Sequence, residues 1–590
     1  MGVLNSPWTG LLLLLHLSLA DGVQAQRGGS APVARGTVTL KAPGAACRVA
    51  MLNDRPAPRS ADSLFRFSAV EPGGYQLLCG APIEIYVQPG AALRITLSPN
   101  SAPLFQGRGA AMNRYLSAPR AMSTPLLTEL WTERPQDFEN VWSAAYTEDI
   151  SALRRVPGAD AAFRERENMR LRFRHAFGRV VYPYFHWRQS DDAVLAPDGK
   201  MSSLLTTLLE GGALNDPRWY SLPEHGELLQ ALIHENARTA LVGDSTLQRG
   251  DARWLRAEFA IAAEIITDST LRRRTMTRLL ASSIEENGSR GVDSVYGRWI
   301  AEGVDSLARK GIDSLIAIDR GMQGGHEVET YRTVDDVAMN VHILRPEGAD
   351  STTVSPAMLW FHGGSWSSGI WWHSPGVLGA LREQGVTVVG VELRTTNRFN
   401  SGPLEQVEDA VLAYDWIVRN AARLRLDSTR VGVAGFSSGG TLATILGTRG
   451  LLPPPPIGAE PEAPPSTATR RFPAAVIAVG ACVFPGGPGD DGYFRKTVGQ
   501  RAMVADFTPL LSIRAGQPPM LLVHAANDEY CDVRPVRSVT EQARQLGNQV
   551  TLNEVANAGH FFGFYHQPGL RQLRQAIRNA LREWGWNASP

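Results

Sequence analysis

The period of the hydrophobic positions changes twice along the chain. Short segments at residues 37–40, 83–87 and 93–97 alternate apolar and polar residues at period two, with Pro and Gly turn residues at 72–74 and 89–90. This predicts a small β-sandwich over residues 27–107. From 110 to 320 the apolar residues recur at helical spacing, as in 137–156, 160–187, 224–242 and 268–286, and predict a helical region without internal repeats. A glycine-containing linker at 321–325 follows. From 326 to 590, apolar runs at 339–344, 357–361, 386–391, 431–434, 474–479, 520–523 and 550–555 alternate with helical stretches. That pattern predicts a doubly wound, mostly parallel sheet with helices on both faces. A Pro-rich surface loop at 451–469 interrupts it.

The first 25 residues stand apart. An apolar run at 11–20 ends in Val23-Gln24-Ala25-Gln26, which reads as a signal peptide cleaved after Ala25, although no Lys or Arg lies in the first ten residues. The run is shorter than the roughly 20 residues that a bilayer span needs. No later segment reads as transmembrane. Export, to a periplasmic or extracellular space, is the expectation. It fits an even count of four cysteines, Cys47, Cys79, Cys482 and Cys531, in a compartment that permits disulfides.

Composition narrows the function classes. The 59 Lys+Arg against 58 Asp+Glu leave a net charge of +1, so no electrostatic argument favours nucleic acid or an anionic membrane. The Arg-rich stretch at 164–179 carries interspersed Glu165 and Glu167 and reads as a solvated helix face. The cysteines form no CxxC and no zinc-ligand spacing. No metal or cofactor is expected.

Gly435-Phe436-Ser437-Ser438-Gly439-Gly440 follows the apolar run 431–434 and precedes a helix-like run from Thr441. Strand, tight turn and helix are the context of a nucleophile elbow, in which flanking glycines allow a turn that aims the serine Oγ away from the sheet. Upstream, His362-Gly363-Gly364-Ser365-Trp366 ends another apolar run. Its glycines let backbone N–H groups converge, so the amides of Gly363, Gly364 and Ser438 are the candidate oxyanion donors. His362 reads as a structural residue of that loop. Asp528 follows the run 520–523 and is the candidate orienting acid, with Glu529 and Asp532 as neighbouring rivals. His560 follows the last apolar run and is the candidate base. The order Ser437, Asp528, His560 is that of α/β hydrolases. Trp366, Trp371 and Trp372 are candidates either for a substrate-pocket wall or for packing at the sheet edge.

Residues from about 331 to 586 resemble α/β-hydrolase carboxylesterases of the hormone-sensitive-lipase and bacterial acetyl- or feruloyl-esterase-like groups. The resemblance rests on 362–366, Glu408-Asp409-Ala410, 427–430, 435–440, Asp528 and Gly559-His560. It implies a serine esterase acting on a small-molecule or carbohydrate ester. The chain departs from the family pattern at Ser365, where glycine is usual, and at Cys531-Asp532, where an apolar residue and proline often follow the acid. In such a fold Cys482 and Cys531 would both lie on loops at the carboxyl edge of the sheet, and a disulfide between them is expected, with a second between Cys47 and Cys79. Residues from 89 to 116 resemble part of the N-terminal β-domain of secreted bacterial thioredoxin-like proteins, without their CxxC. Two other functions remain open at this stage. One is a prolyl-oligopeptidase-like peptidase, and the other is a non-catalytic protein binding a glycan or a partner.

Overall fold

The alternating N-terminal segments pair into two small sheets in the computed structural model. The structure describes residues 34–586 except 43–48, 190–211, 244–251, 455–470, 484–497 and 499–503, and shorter stretches at 54, 61–63, 80, 99–100, 351 and 564–566. The expected signal peptide, Cys47 and most of the Pro-rich loop lie outside the described residues. Among the described residues no helix is long and apolar enough to cross a membrane. The chain divides into two compact units. One holds residues up to 186 with 192–235 and 263–274, and the other holds 187–191, 236–262 and everything from 275.

In the first unit, β1 (Gly36–Lys41), β2 (Val49–Leu52), β3 (Arg55–Pro58), β4 (Leu64–Val70), β5 (Gly73–Cys79), β6 (Ala81–Val87), β7 (Ala92–Thr96) and β8 (Leu104–Gln106) form sheets ordered β4-β1-β7-β8 and β3-β2-β5-β6. Period-two alternation works as predicted: Val38, Leu40, Phe65, Phe67, Leu93 and Ile95 from one sheet meet Leu52, Leu77 and Ile85 from the other in one core. A second core forms around Trp142, Phe163, Phe173 and Leu232, on the helices Pro135–Arg154, Ala161–Gln189 and Pro223–Gly243.

The Arg-rich stretch is a solvated face only in part: Arg164 and Glu165 are exposed, but Arg166 and Arg170 are not. Arg166 pairs with Glu84 at 2.9 Å and Glu167 at 2.7 Å, and Arg170 pairs with Glu84 and Glu224, both at 2.7 Å. Glu167 is buried, and a charge that leaves water must be paired. These arginines are therefore consumed in a half-buried ion network that ties β6 to the helices.

In the second unit, β9 (Glu327–Val334), β10 (Val337–Leu344), β11 (Ser355–Phe361), β12 (Thr387–Val391), β13 (Leu426–Phe436), β14 (Val476–Val479), β15 (Met520–Ala525) and β16 (Val550–Val555) form one sheet, ordered β16-β15-β14-β13-β11-β12-β10-β9. The pairs from β12 through β16 are parallel, and β10 pairs antiparallel with β9 and β12. All residues of β11, β12, β14 and β15 are buried, as a sheet covered on both faces requires. Within the helix Pro403–Asn420, the fully buried Asp409 carboxylate accepts from Arg394 N at 2.8 Å and pairs with Arg332 and Arg394.

Segments N-terminal to the sheet belong to this unit. Trp372 Nε1 donates to Asp319 Oδ1 at 3.0 Å, and Trp371 Nε1 donates to Gln323 Oε1 at 3.2 Å, both acceptors on the helix Ser306–Gln323. Gly369 N donates to Glu286 O at 2.8 Å, and the His373 ring meets Glu285 O at 2.8 Å. Arg253 donates to the carbonyls of Thr396 and Asn397 at 2.6 and 2.7 Å. Trp371 also stacks on His342 at 4.2 Å between centroids. That histidine stands in a row: His326 Nδ1 lies 3.1 Å from Gly324 O, His326 Nε2 lies 2.9 Å from His342 Nδ1, and His342 Nε2 lies 3.0 Å from Glu392 Oε1.

Candidate active site

Strand β13 delivers Ser437 to a turn that leads directly into the helix Ser438–Arg449. Ser437 has φ 53° and ψ −123°, a region that a residue with a Cβ rarely occupies. The neighbours make it possible. A Cβ on Gly435 would lie 2.1 Å from Gly439 O, and one on Gly439 would lie 2.1 Å from Phe361 O. No side chain fits at either position, which is why glycines flank the serine. Ser437 N donates to Val479 O at 2.9 Å and fixes the turn against β14.

The three candidate side chains meet. His560 Nε2 lies 3.0 Å from Ser437 Oγ, and His560 Nδ1 lies 2.8 and 3.0 Å from the two oxygens of Asp528. Because Nδ1 faces a carboxylate it carries the proton, which leaves the Nε2 lone pair for the serine hydroxyl. Asp528 Oδ1 also accepts from Tyr530 N at 3.0 Å and Cys531 N at 2.7 Å. Burial alone would raise this carboxyl. The hydrogen bond and charge of His560 and the Cys531 N–H outweigh it and hold the group below the usual carboxylate range. The rivals point elsewhere. Glu529 Oε2 accepts from the backbone N of His560 at 3.0 Å, and Asp532 caps the helix Val533–Gln545 through Arg534 N at 2.9 Å.

The glycine loop lies against the elbow. A Cβ on Gly363 would be 2.9 Å from the Phe436 ring and 3.0 Å from Ser437 Cβ, so only a bare backbone can approach the serine this closely. Gly364 has φ 130°, and Ser365 and Trp366 follow at 52° and 67°. Ser365 thus takes a left-handed conformation for which glycine is the easier residue. Ser438 opens the helix beside Ser437. His362 Nδ1 donates to Gly363 O at 2.9 Å, and burial pushes its imidazole down to about 4, so it is neutral and structural. The candidate tryptophans are all buried: Trp366 packs in the sheet core, Trp371 on His342 and Trp372 toward Asp319.

Cys482 and Cys531 form a disulfide, with Cα atoms 4.8 Å apart. It joins the loop after β14 to the loop that carries Asp528. Thr441 Oγ1 donates to Cys482 O at 3.0 Å, so the elbow helix is tied to the same bridge. Cys79 is disulfide-bonded as well, and its expected partner Cys47 lies outside the described residues. Sequence reasoning passed over His524. On β15, its Nε2 donates to Cys531 O at 2.7 Å and stands 3.4 Å from Asp528 Oδ2. Burial lowers its imidazole, so it serves as a neutral donor beneath the acid. Its place on an apolar strand gave no local signal. Among the described residues, Asp528, Cys531 and His560 are the one group whose ligand atoms lie close enough for a metal, but the Cys531 sulfur is in a disulfide and the other two hold each other.

The BD-FAE family model matches residues 341–452, which include the glycine loop and Ser437. The chain is 32% identical over 115 residues to the ethyl acetate hydrolase of Pseudomonas putida, covering 19% of this chain and 36% of that protein. It is also 32% identical over 94 residues to the carboxylesterase NlhH of Mycobacterium tuberculosis, covering 15% and 28%. Over part of its length the chain is thus similar to α/β hydrolases of the esterase type. The chain is also 24% identical over 277 residues to the uncharacterized peptidase YuxL of Bacillus subtilis, covering 43% of this chain and 38% of that protein. The chain therefore spans under half the length of these curated relatives. Among solved structures, a propionate-bound esterase 2 of Thermogutta terrifontis is 25% identical, with a TM-score of 0.39, and covers 45% of this chain and 97% of its own.

Proposed function

We propose that the protein is a serine hydrolase that cleaves carboxylic esters through an acyl-enzyme. The observation that carries this reading is the unbroken hydrogen-bonded row from Ser437 through His560 to Asp528, on a serine held at φ 53°. His560 Nε2 takes the hydroxyl proton as Ser437 Oγ attacks the ester carbonyl, and Asp528 stabilises the imidazolium that forms. The backbone amides of Gly363, Gly364 and Ser438 receive the oxyanion, each donor typically worth about 10²–10³ in rate. The imidazolium then protonates the leaving alcohol, and water repeats the sequence on the acyl-serine. The ester-cleaving names of two relatives support this chemistry, and short-acyl or carbohydrate-linked esters are the substrates we propose. Export is part of the proposal. It rests on the apolar run 11–20 and on the disulfides.

The test is hydrolysis of p-nitrophenyl acetate by the wild type and by Ser437→Ala. Loss of turnover in the variant is expected, and equal rates would overturn the reading. The similarity to a peptidase gives one second reading, cleavage of peptide amides. A panel of short acyl esters, acetylated xylan, feruloyl esters and peptide amides separates the two.

A further inference from the structure

We infer that Glu529 is a positioning residue for His560, fixing the backbone of the base while Asp528 fixes its ring. Three consecutive residues hold the base loop. Asn527 N donates to Ala558 O at 3.2 Å, Asp528 accepts from His560 Nδ1 at 2.8 Å, and Glu529 Oε2 accepts from His560 N at 3.0 Å. A histidine held only through its ring nitrogen can still shift by its main chain. With Nε2 needed at hydrogen-bond distance from Ser437 Oγ, such drift lengthens the contact on which proton transfer depends. A carboxylate on the peptide N–H of that same residue removes the freedom, through a charge-assisted bond.

The residue before the base supports this assignment. A Cβ on Gly559 would lie 2.5 Å from Glu529 Oε2 and 3.2 Å from its Cδ. Gly559 is not among the glycines at positive φ, so its backbone would accept alanine. What glycine provides at 559 is room for the Glu529 carboxylate. Alanine there would push the carboxylate off His560 N without altering Glu529 itself.

This inference rests on the proposed esterase chemistry, so its test has one arm that needs turnover and one that does not. In the first, kcat and KM for p-nitrophenyl acetate are measured for full-length variants. Glu529→Ala is expected to lower kcat about tenfold, the loss of one hydrogen bond of ordinary worth, with KM within about twofold. Gly559→Ala should show the same loss. The double variant should be no slower than either single one, because both remove one contact. Glu529→Gln keeps an acceptor oxygen and should recover kcat to within about threefold. In the second arm, the downfield imidazole Nδ1–H resonance of His560 is recorded in a Ser437→Ala background. It should persist with Glu or Gln at 529 and broaden through faster solvent exchange with Ala. Wild-type kcat and an unchanged resonance in Glu529→Ala would overturn the inference, as would multiplicative losses in the double variant. Wild-type hydrolysis by Ser437→Ala would instead overturn the esterase reading, and the resonance would still decide the role of Glu529.

Discussion

Ser437 occupies a backbone region that costs on the order of 1–3 kcal/mol, and its surroundings hold it there. Two consequences can be measured at the scale of single residues. Gly439→Ala would place a Cβ 2.1 Å from Phe361 O, a backbone atom that cannot swing aside. That variant is expected to lose turnover and to lower the thermal midpoint, measured by scanning calorimetry. Asp528→Asn would present an amide to His560 Nδ1 and favour the wrong tautomer. It should lower kcat by about 10³–10⁴-fold while leaving the fold intact by circular dichroism. A third prediction concerns acid. Burial acts to raise Glu392, but the hydrogen bond of His342 and the charges of Arg290 and Arg398 prevail and bring it down to about 2. A depressed carboxyl contributes stability above its unfolded value, near 4, and loses it as pH falls towards 2. Denaturant midpoints between pH 5 and 2 should fall less steeply in Glu392→Gln than in the wild type. The meeting of Ser437, Asp528 and His560 was legible because each follows an apolar strand at a recognisable turn. His524 and Glu529 were not legible in these roles. One is a polar residue inside a buried strand, and the other acts on a backbone atom.

At the scale of elements, β11, β12, β14 and β15 were visible as apolar runs because strands covered on both faces bury every residue. Strand β9 was not. Its sequence Glu327-Val-Glu-Thr-Tyr-Arg-Thr-Val334 is half exposed, and an edge strand needs no apolar run to pair with β10. The arginines of 164–179 illustrate the converse. Their periodicity gave the helix correctly, but charge at half-buried positions looks like a solvated face until the acids from β6 and the helix Pro223–Gly243 are in place. The Cys482–Cys531 bridge joins the loops of two neighbouring parallel strands across 49 residues. Cross-linking a loop of this length is worth about 4 kcal/mol in the chain-entropy account. Here it also anchors Asp528, through Cys531 N, and the elbow helix, through Thr441. Reduction with a thiol, or Cys531→Ala, is therefore expected to lower kcat as well as stability. Ester hydrolysis with and without reductant, alongside the thermal midpoint, measures both.

At the scale of the whole molecule, part of the chain that precedes the sheet folds with it. Residues 236–262 and 275–323 belong to the unit that contains the sheet. They supply Glu285 O, Glu286 O, Asp319 and Gln323 to the segment that follows the glycine loop. Hydropathy could reveal these helices but not their docking, since the contacts that fix it are carbonyls and single polar side chains. A fragment of residues 326–590 would leave the Trp372 indole N–H and the Gly369 N–H without these partners. It is expected to be insoluble or to hydrolyse p-nitrophenyl acetate far more slowly than the full chain. Undiminished turnover by the soluble fragment would show that these helices are dispensable.

The row from Gly324 through His326 and His342 to Glu392 poses a problem of stoichiometry. Its two ends, a carbonyl and a carboxylate, can only accept. Three hydrogen bonds between them need three hydrogens, and two neutral imidazoles bring two. A third hydrogen would have to be an added proton, and burial together with the neighbouring His342 ring works against a charge on His326. The Glu392 carboxylate has a cation beside it in Arg290, at 3.2 Å. Nitrogen-15 spectra at neutral pH count the protonated ring nitrogens across His326 and His342. A count of two would mean that one contact in the row is open, and a count of three that the row holds an added proton.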